Sequence, residues 1–179
     1  MKLILIRHGE TNECAQKIMK GRLDVSLSKQ GIKQAKILGE KLKDEKIDFI
    51  YSSPLKRTIE TAKEVAKFHT HTQIKISKDL IDCGLGLMEG KTKAELGIKK
   101  GERPPKHLVD SCEGFESIFN RIDKFIKKIK KEHNKEDLIV IVAHGCITKA
   151  FNAVIEKKKP IDIAFMKPRK HTEINIYEI

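Results

Sequence analysis

Short apolar runs alternate along this chain with longer segments in which apolar residues recur every three or four positions. The runs predict buried strands over residues 3–6, 47–51, 73–77, 138–143 and 173–179. The longer segments predict amphipathic helices over residues 28–44, 53–68, 113–132 and 147–156. This order predicts an α/β fold, a three-layer α/β/α sandwich with a mostly parallel central sheet.

Capping residues set the starts of the first two predicted helices. Ser28 is suited to accept a hydrogen bond at a helix N-terminus. Ser53 followed by Pro54 predicts a second cap, because proline is favoured at the first helical position. Residues 79–106 are rich in Gly, Lys and Pro, and they predict a loop with at most a short helix near Ala94.

The length fits a single domain, predicted to span residues 1–179. No apolar run approaches the length needed to cross a bilayer. The N-terminal apolar stretch, residues 3–6, ends at Arg7 and is too short for the core of a signal peptide. We therefore expect a cytoplasmic protein that does not engage a membrane.

The net charge of +12 comes mainly from lysine. A solvated, lysine-rich surface explains most of this positive charge. The more specific alternative is a surface that attracts anions such as phosphorylated metabolites or nucleic acid. The chain has no Trp and few aromatic residues, so a specific nucleic-acid partner is poorly supported. The sequence leaves the oligomeric state open, with a homodimer as one option.

The cysteines include no closely spaced pair; they are Cys14, Cys83, Cys112 and Cys146. Zinc ribbons and thioredoxin-like sites need such pairs, so reduced packing residues are the expectation. No ligand cluster argues for a metal, and we predict neither a metal nor a cofactor.

Two histidines and two arginines follow predicted strands. Arg7 and His8 follow the first strand, Arg57 comes shortly after the second, and His144 follows the strand at 138–143. Ligands of parallel α/β sheets bind at the carboxyl ends of the strands, so these side chains are expected along one edge. Arginine donors match phosphate oxygens, and a neutral imidazole is a competent nucleophile toward phosphorus. The pattern indicates phosphoryl transfer, which also needs an acid near the leaving group.

Five stretches of the chain resemble the motifs of the histidine phosphatase superfamily, the phosphoglycerate mutase-like group. They are residues 5–11 (LIRHGET), 21–31 (GRLDVSLSKQG), 51–62 (YSSPLKRTIETA), 80–90 (LIDCGLGLMEG) and 140–145 (VIVAHG). Their order and spacing extend the resemblance over nearly the whole chain.

The resemblance implies a metal-independent phosphomonoester hydrolase that acts on a small phosphorylated metabolite. His8 would be the phosphorylated nucleophile, and Arg7, Arg57 and His144 would hold the phosphoryl oxygens. Asp82 stands where the family usually has a glutamate. It would protonate the leaving oxygen and then activate water, and Glu89 is the other possible acid.

Several positions depart from the family pattern, and two of them bear on the predicted site. Cys14 stands where the family often has an asparagine that contacts phosphate, and Asp82 is one methylene shorter than glutamate. Cys14 and Cys146 lie shortly after the first and the last of these motifs, which places them where they can face the site.

Simpler interpretations exist for several of these residues. Arg57 could pair with Glu60 or Glu64 on its own helix, and His144 could be a hydrogen-bonded core residue. Asp82 could be an ordinary loop aspartate, whereas His171 lies in charged surroundings and needs no functional account.

Other functions stay open beside hydrolysis. The runner-up is phosphoglycerate mutase-type phosphotransfer, but family mutases that use a bisphosphate cofactor are longer, with insertions that enclose the substrate. This chain is short, so water should reach the intermediate. Within hydrolysis, α-ribazole phosphate, sugar phosphates and phosphoproteins are all allowed. A non-catalytic module that binds phosphorylated ligands or nucleic acid is less favoured, because a binder has no need of His8.

Residues 91–112 are expected to cover the site and to set specificity. Their cations predict an acidic or multiply phosphorylated substrate; these are Lys91, Lys93, Lys99, Lys100, Arg103 and Lys106.

Overall fold

The computed structural model describes residues 1–99 and 101–179, so Lys100 lies outside the described residues. Within them, one sheet contains β1 (Lys2–Arg7), β2 (Phe49–Ser52), β3 (Ile74–Ile76), β4 (Leu138–Ala143) and β5 (Ile174–Glu178). The strand order is β3-β2-β4-β1-β5. Strand β5 pairs antiparallel with β1 and the other pairs are parallel, which confirms the mostly parallel sheet.

The helices are α1 (Asn12–Ala15), α2 (Lys29–Leu42), α3 (Lys56–Ala66), α4 (Lys106–Asp110), α5 (Phe115–Glu132) and α6 (Gly145–Ile155). Alternate residues of β1 face opposite sides of the sheet. Ile4 and Ile6 pack with α2 and α3, whereas Leu3 and Leu5 pack with α5 and α6. The predicted three-layer sandwich is therefore confirmed. In the part of the chain that is described, no helix has both the length and the apolar character to span a membrane.

Strand β4 brings the predicted site together. All of its residues are buried, and it lies between β1 and β2. Arg7 is opposite Ala143 and Ser52 is opposite Val142, so the three strands end at nearly the same level. The residues that follow them emerge along one edge, as the strand-end argument predicts.

The two predicted helix caps have different outcomes. The Ser28 hydroxyl accepts a hydrogen bond from the Gly31 amide over 3.0 Å, which confirms it as a cap. The predicted start at Ser53 is wrong, because α3 begins only at Lys56 after an extended Leu55. Ser53 still belongs to the sheet edge, since its amide donates to the Val142 carbonyl over 3.2 Å.

The loop after β3 also differs in detail from the prediction. Residues around Ala94 form turns, and the short helical pieces are instead a 3-10 turn at Gly86–Met88 and helix α4. The loop is anchored to the segment after α1, where Met19 exchanges backbone hydrogen bonds with Gly90 and Lys91.

Candidate active site

His8 is a buried imidazole at the carboxyl end of β1. Its Nδ1 lies 2.6 Å from the Gly9 carbonyl oxygen, which can only accept, so Nδ1 carries the proton and Nε2 the lone pair. Burial lowers the pKa of His8 well below its usual value, and the charges of Arg57 and Arg7 lower it further. The ring is therefore neutral at physiological pH, which is its nucleophilic form.

A cavity of about 280 Å³ opens beside His8. Arg7 is on its wall, with Nη1 donating to the Arg169 carbonyl over 2.8 Å, and its buried Nε has no hydrogen-bond partner among the described residues. A Cβ added at Gly145 would lie only 3.3 Å from Arg7 Nε. Glycine at the start of α6 therefore leaves room for the guanidinium at the cavity.

Arg57 is fully buried and lies behind the cavity wall. It donates to the carbonyl oxygens of Leu23 over 2.6 Å and Gly21 over 2.8 Å. Its Nη2 also lies 3.2 Å from Asp82 Oδ2. The ion partner of Arg57 is thus Asp82, not a glutamate of its own helix.

His144 is fully buried at the N-terminus of α6. Its Nε2 lies 2.8 Å from Ser53 Oγ. Its Nδ1 has no hydrogen-bond partner among the described residues, and Asp82 Oδ2 is 3.5 Å away. Burial, followed by Arg57 and His8, lowers the pKa of His144 well below its usual value. The rings of His144 and His8 are 5.3 Å apart, so both predicted histidines lie in one site.

Asp82 lies on the cavity wall, between Arg57 and His144. Burial raises the pKa of its carboxyl group, although Arg57 and the Cys83 amide favour the charged form. A raised pKa keeps a proton available near the reacting groups, as a general acid requires.

Glu89, the alternative acid, accepts hydrogen bonds from two loops. Its Oε1 accepts from the backbone amides of Arg22 over 3.0 Å and Leu85 over 2.9 Å. Glu89 is not one of the residues that line the cavity. These contacts tie two loops together and favour Asp82 as the residue placed for proton transfer.

The loop that carries Asp82 is held by charged groups from other elements. Glu113 Oε2 accepts from the Gly84 amide over 3.3 Å and from Arg121 over 2.9 Å. Arg22 bridges the same loop, with Nη2 3.1 Å from Glu113 and Nε 3.2 Å from the Asp82 carbonyl. The position of Asp82 therefore depends on contacts between residues far apart in sequence.

His171 is a site neighbour that the sequence analysis missed. Its ring lies 5.4 Å from that of His8, and its Nε2 lies 4.0 Å from Cys14 Sγ. The sequence feature that could have located His171 is its position just before the last predicted strand. In the structure, β5 runs antiparallel to β1 with Ile174 opposite Ile6, so the residues just before β5 lie beside the end of β1. An antiparallel pairing cannot be read from the apolar pattern of one strand alone.

Cys14 forms a charged cluster next to this site. Lys20 Nζ is 3.0 Å from its sulfur. The pKa of Cys14 falls to about 5, because hydrogen bonds from His171, Lys20 and Thr11 outweigh the opposing effect of burial. Cys14 does not line the cavity, but Cys146 and Cys83 do.

The cations on the cavity wall are not those predicted from residues 91–112. Among the described residues of that segment none lines the cavity, and Lys106 pairs with Asp110 over 2.6 Å. Lys20 and Lys149 line it instead, together with Arg7. This excess of positive charge suits an anionic ligand. Within the described chain, no group of three or more His, Cys, Asp or Glu side chains is placed to hold a metal ion.

Comparison with known proteins gives a consistent result. Residues 3–179 match the family model for the histidine phosphatase superfamily, branch 1. Phosphoserine phosphatase 1 of Hydrogenobacter thermophilus is 35% identical over 148 residues, which cover 79% of this chain and 70% of that protein. The phosphoserine phosphatase of Entamoeba histolytica, solved with 3-phosphoglyceric acid, aligns with a TM-score of 0.79 and 27% identity over 98% of this chain and 89% of that one. The α-ribazole phosphatase of Shigella flexneri shares the fold, with a TM-score of 0.85 and 24% identity over 98% and 89% of the two chains.

Proposed function

Because the chain belongs to the histidine phosphatase superfamily, we propose that it hydrolyses a phosphomonoester through a phosphohistidine and that His8 Nε2 is the atom that becomes phosphorylated. One observation carries this assignment. The hydrogen bond from Nδ1 to the Gly9 carbonyl leaves Nε2 unprotonated on a ring that lines the cavity. A phosphorus atom seated there would meet a neutral nucleophile.

Three buried nitrogen atoms support the assignment of Arg7, Arg57 and His144 to the phosphoryl group. Arg7 Nε, Arg57 Nε and His144 Nδ1 have no hydrogen-bond partner among the described residues. A buried polar atom without a partner costs about 1–3 kcal/mol, so phosphoryl oxygens that accept from the two guanidinium nitrogens would stabilise this arrangement. The same donors would stabilise negative charge as it develops during transfer.

Asp82 is assigned to both proton transfers. As His8 Nε2 forms a bond to phosphorus, the bond to the leaving oxygen breaks, and the proton of Asp82 goes to that oxygen. Asp82 is then a carboxylate. It takes a proton from water while the water oxygen attacks phosphorus, which breaks the bond to Nε2 and releases inorganic phosphate. The raised pKa of Asp82 supports the first of these roles.

Hydrolysis is favoured over mutase-type transfer because the cavity opens to solvent. Water can then reach a phosphorylated His8 once the dephosphorylated product has left. A mutase would have to keep water out while it returned the phosphoryl group to a bound substrate.

The substrate we propose is a small phosphomonoester with a second acidic group, such as phosphoserine or a phosphoglycerate. Lys20 and Lys149 lie on the cavity wall beside the phosphoryl-binding residues, and each would attract a carboxylate. The comparisons point the same way, since one relative is named a phosphoserine phosphatase and another was solved with 3-phosphoglyceric acid. We also propose that residues 1–179 form a single domain in the cytoplasm, where the four free cysteines would stay reduced.

Phosphate release from p-nitrophenyl phosphate in the presence of a chelator tests the nucleophile. The wild type should hydrolyse this substrate and His8→Ala should not. His107→Ala, which removes an exposed histidine, should have the wild-type rate. Turnover by His8→Ala at the wild-type rate would refute the assignment. Transfer from a bisphosphate donor to a phosphoglycerate, without net release of phosphate, would instead identify a mutase.

A second comparison tests the acidic substrate. Lys149→Met should lower kcat/KM for phosphoserine about tenfold and leave p-nitrophenyl phosphate nearly unaffected. Lys91→Met, which removes a lysine outside the cavity, should change neither. Equal losses on both substrates in Lys149→Met would contradict a carboxylate-binding role. Faster turnover of a neutral sugar phosphate or α-ribazole phosphate would point to another substrate class.

A further inference from the structure

The carboxylate of Glu113, just before α5, accepts hydrogen bonds from three other segments of the chain. Arg121 binds both of its oxygens, with Nε 3.0 Å from Oε1 and Nη2 2.9 Å from Oε2. Oε2 also accepts from Arg22 Nη2 over 3.1 Å and from the Gly84 amide over 3.3 Å. Only 12% of the Glu113 side chain is exposed. A guanidinium that binds both oxygens of a carboxylate fixes its orientation, so Glu113 is the rigid centre of these contacts.

Glu113 also closes the base of the segment formed by residues 85–112. Its backbone amide donates to the Gly84 carbonyl oxygen over 2.8 Å, while the Gly84 amide donates to its side chain. The segment in between has a small hydrophobic cluster of its own, built on Met88, Ile98 and Leu108. The two ends of the segment therefore meet at Gly84, two positions after Asp82 in the sequence.

The two arginines extend these contacts to the backbone that carries Asp82. Arg121 Nη1 donates to the Asp79 carbonyl oxygen over 2.6 Å. Arg22 Nε lies 3.2 Å from the carbonyl oxygen of Asp82 itself. The loop is thus held before Asp82, at Asp82 and, through Gly84, after it. All three contacts lead back to one carboxylate.

We propose that Glu113 is a positioning residue for the proton transfers of Asp82. Its carboxylate fixes the two arginines and the base of the loop, and through them it sets where the Asp82 carboxyl group lies on the cavity wall. Glu113 is not one of the residues that line the cavity, so it acts through Asp82 and not on the substrate. The proposal rests on the function proposed above, because it needs Asp82 to be the acid.

The physical reason is the precision that proton transfer requires. The donor must lie within about 2.6–3.2 Å of the leaving oxygen, and a displacement of about 1 Å can lower the rate by about 10²-fold. Glu113→Gln replaces one carboxylate oxygen with an amide nitrogen, which donates where an acceptor is needed. One of the groups that now donate to Glu113 therefore loses its acceptor, and the loop that carries Asp82 is freed to move.

The experiment measures kcat/KM for a series of aryl phosphates that includes p-nitrophenyl phosphate and esters with poorer leaving groups. In Glu113→Gln the rate should fall about tenfold or more for the poorest leaving group and little for p-nitrophenyl phosphate, which needs less protonation. In Asp82→Asn the same substitution should cause no further loss, because there is no acid left to position. Glu116→Gln, which changes an exposed residue of the same helix, should match the wild type.

A second variant covers the case in which Glu113→Gln does not fold, which its circular dichroism spectrum would show. Arg22→Met removes the contact with the Asp82 carbonyl oxygen from a side chain that is 45% exposed. It should fold and should steepen the dependence on leaving-group pKa in the same direction as Glu113→Gln.

Two outcomes would overturn the positioning role. Equal losses on every leaving group would show that Glu113 only supports the structure. A loss of the same size in the Asp82→Asn background would show that Glu113 acts on some other group. Failure of the proposed function is recognised separately, because Asp82→Asn by itself would then leave the dependence on leaving-group pKa unchanged.

Discussion

Asp82 Oδ2 lies 3.2 Å from Arg57 Nη2, an ion pair between a loop on the cavity wall and a fully buried helix residue. The pair holds the carboxyl group at a fixed place beside His144. Arg57 is itself fixed by the carbonyl oxygens of Gly21 and Leu23. Asp82 is thus positioned by a partner that is itself held by the backbone.

Replacing Asp82, the acid that we propose, should have an effect that depends on the leaving group. Asp82→Asn removes the proton donor, so kcat should fall by about 10²–10⁴-fold for an alkyl phosphate and less for p-nitrophenyl phosphate, whose leaving group needs less protonation. The measurement is a series of rates against leaving-group pKa. Glu89→Gln should keep the wild-type slope, because the amide oxygen can still accept from Arg22 and Leu85. A steeper slope in Glu89→Gln than in Asp82→Asn would make Glu89 the acid.

Buried His144 should make the fold sensitive to acid. Its folded-state pKa lies well below 6.5, so the unfolded chain binds a proton more readily. This contribution to stability is complete above the unfolded pKa of 6.5 and is lost as the pH falls from there toward the lowered folded pKa. The urea midpoint should therefore fall less between about pH 7.5 and about pH 5.5 in His144→Gln than in the wild type. His107→Gln changes an exposed histidine and should lose as much of its urea midpoint as the wild type over this pH range. An equal loss of the midpoint in His144→Gln and in the wild type would contradict the prediction.

Gly145 should be required for phosphate binding more than for stability. A Cβ there would lie 3.3 Å from Arg7 Nε and 3.4 Å from its Cζ, which would push the guanidinium away from the cavity wall. In Gly145→Ala we expect the inhibition constant for inorganic phosphate to rise about tenfold. Gly114→Ala is the matched control, since nothing lies within 4 Å of its added Cβ. The same inhibition constant in both variants would show that Arg7 does not depend on this space.

Cys14 should react as a thiolate at a pH where ordinary cysteines do not. Its pKa of about 5 predicts that alkylation by iodoacetamide becomes half-maximal near pH 5. Lys20→Met should move that midpoint upward, because it removes the cation 3.0 Å from the sulfur. Mass spectrometry of the separate cysteine peptides gives the rate at each pH. Cys112, whose pKa is raised by burial, serves as the internal reference. Alkylation of Cys14 only above about pH 8.5 would contradict the prediction.

Much of the fold follows from local patterns in the sequence. The strand predicted over residues 138–143 has the bounds of β4, because a fully buried parallel strand is a continuous apolar run. The Ser28 cap could also be predicted from the sequence, because it needs only the Ser28 hydroxyl oxygen and the amide of Gly31, three residues later. The start of α3 was predicted wrongly. Ser53 Oγ accepts from the Leu55 amide over 3.4 Å, ahead of the helix, and it also contacts His144, which reaches it only after β2 and β4 have paired.

The sequence by itself determined the α/β architecture and the strand ends from which Arg7, His8 and His144 emerge, because apolar periodicity and strand order are properties of the chain. Only the tertiary structure decided what those residues touch. The ion pair of Arg57 with Asp82 and the approach of His171 to His8 each join segments far apart in the chain. Such contacts depend on sheet order and on how loops pack across the sheet edge, and no local pattern encodes either.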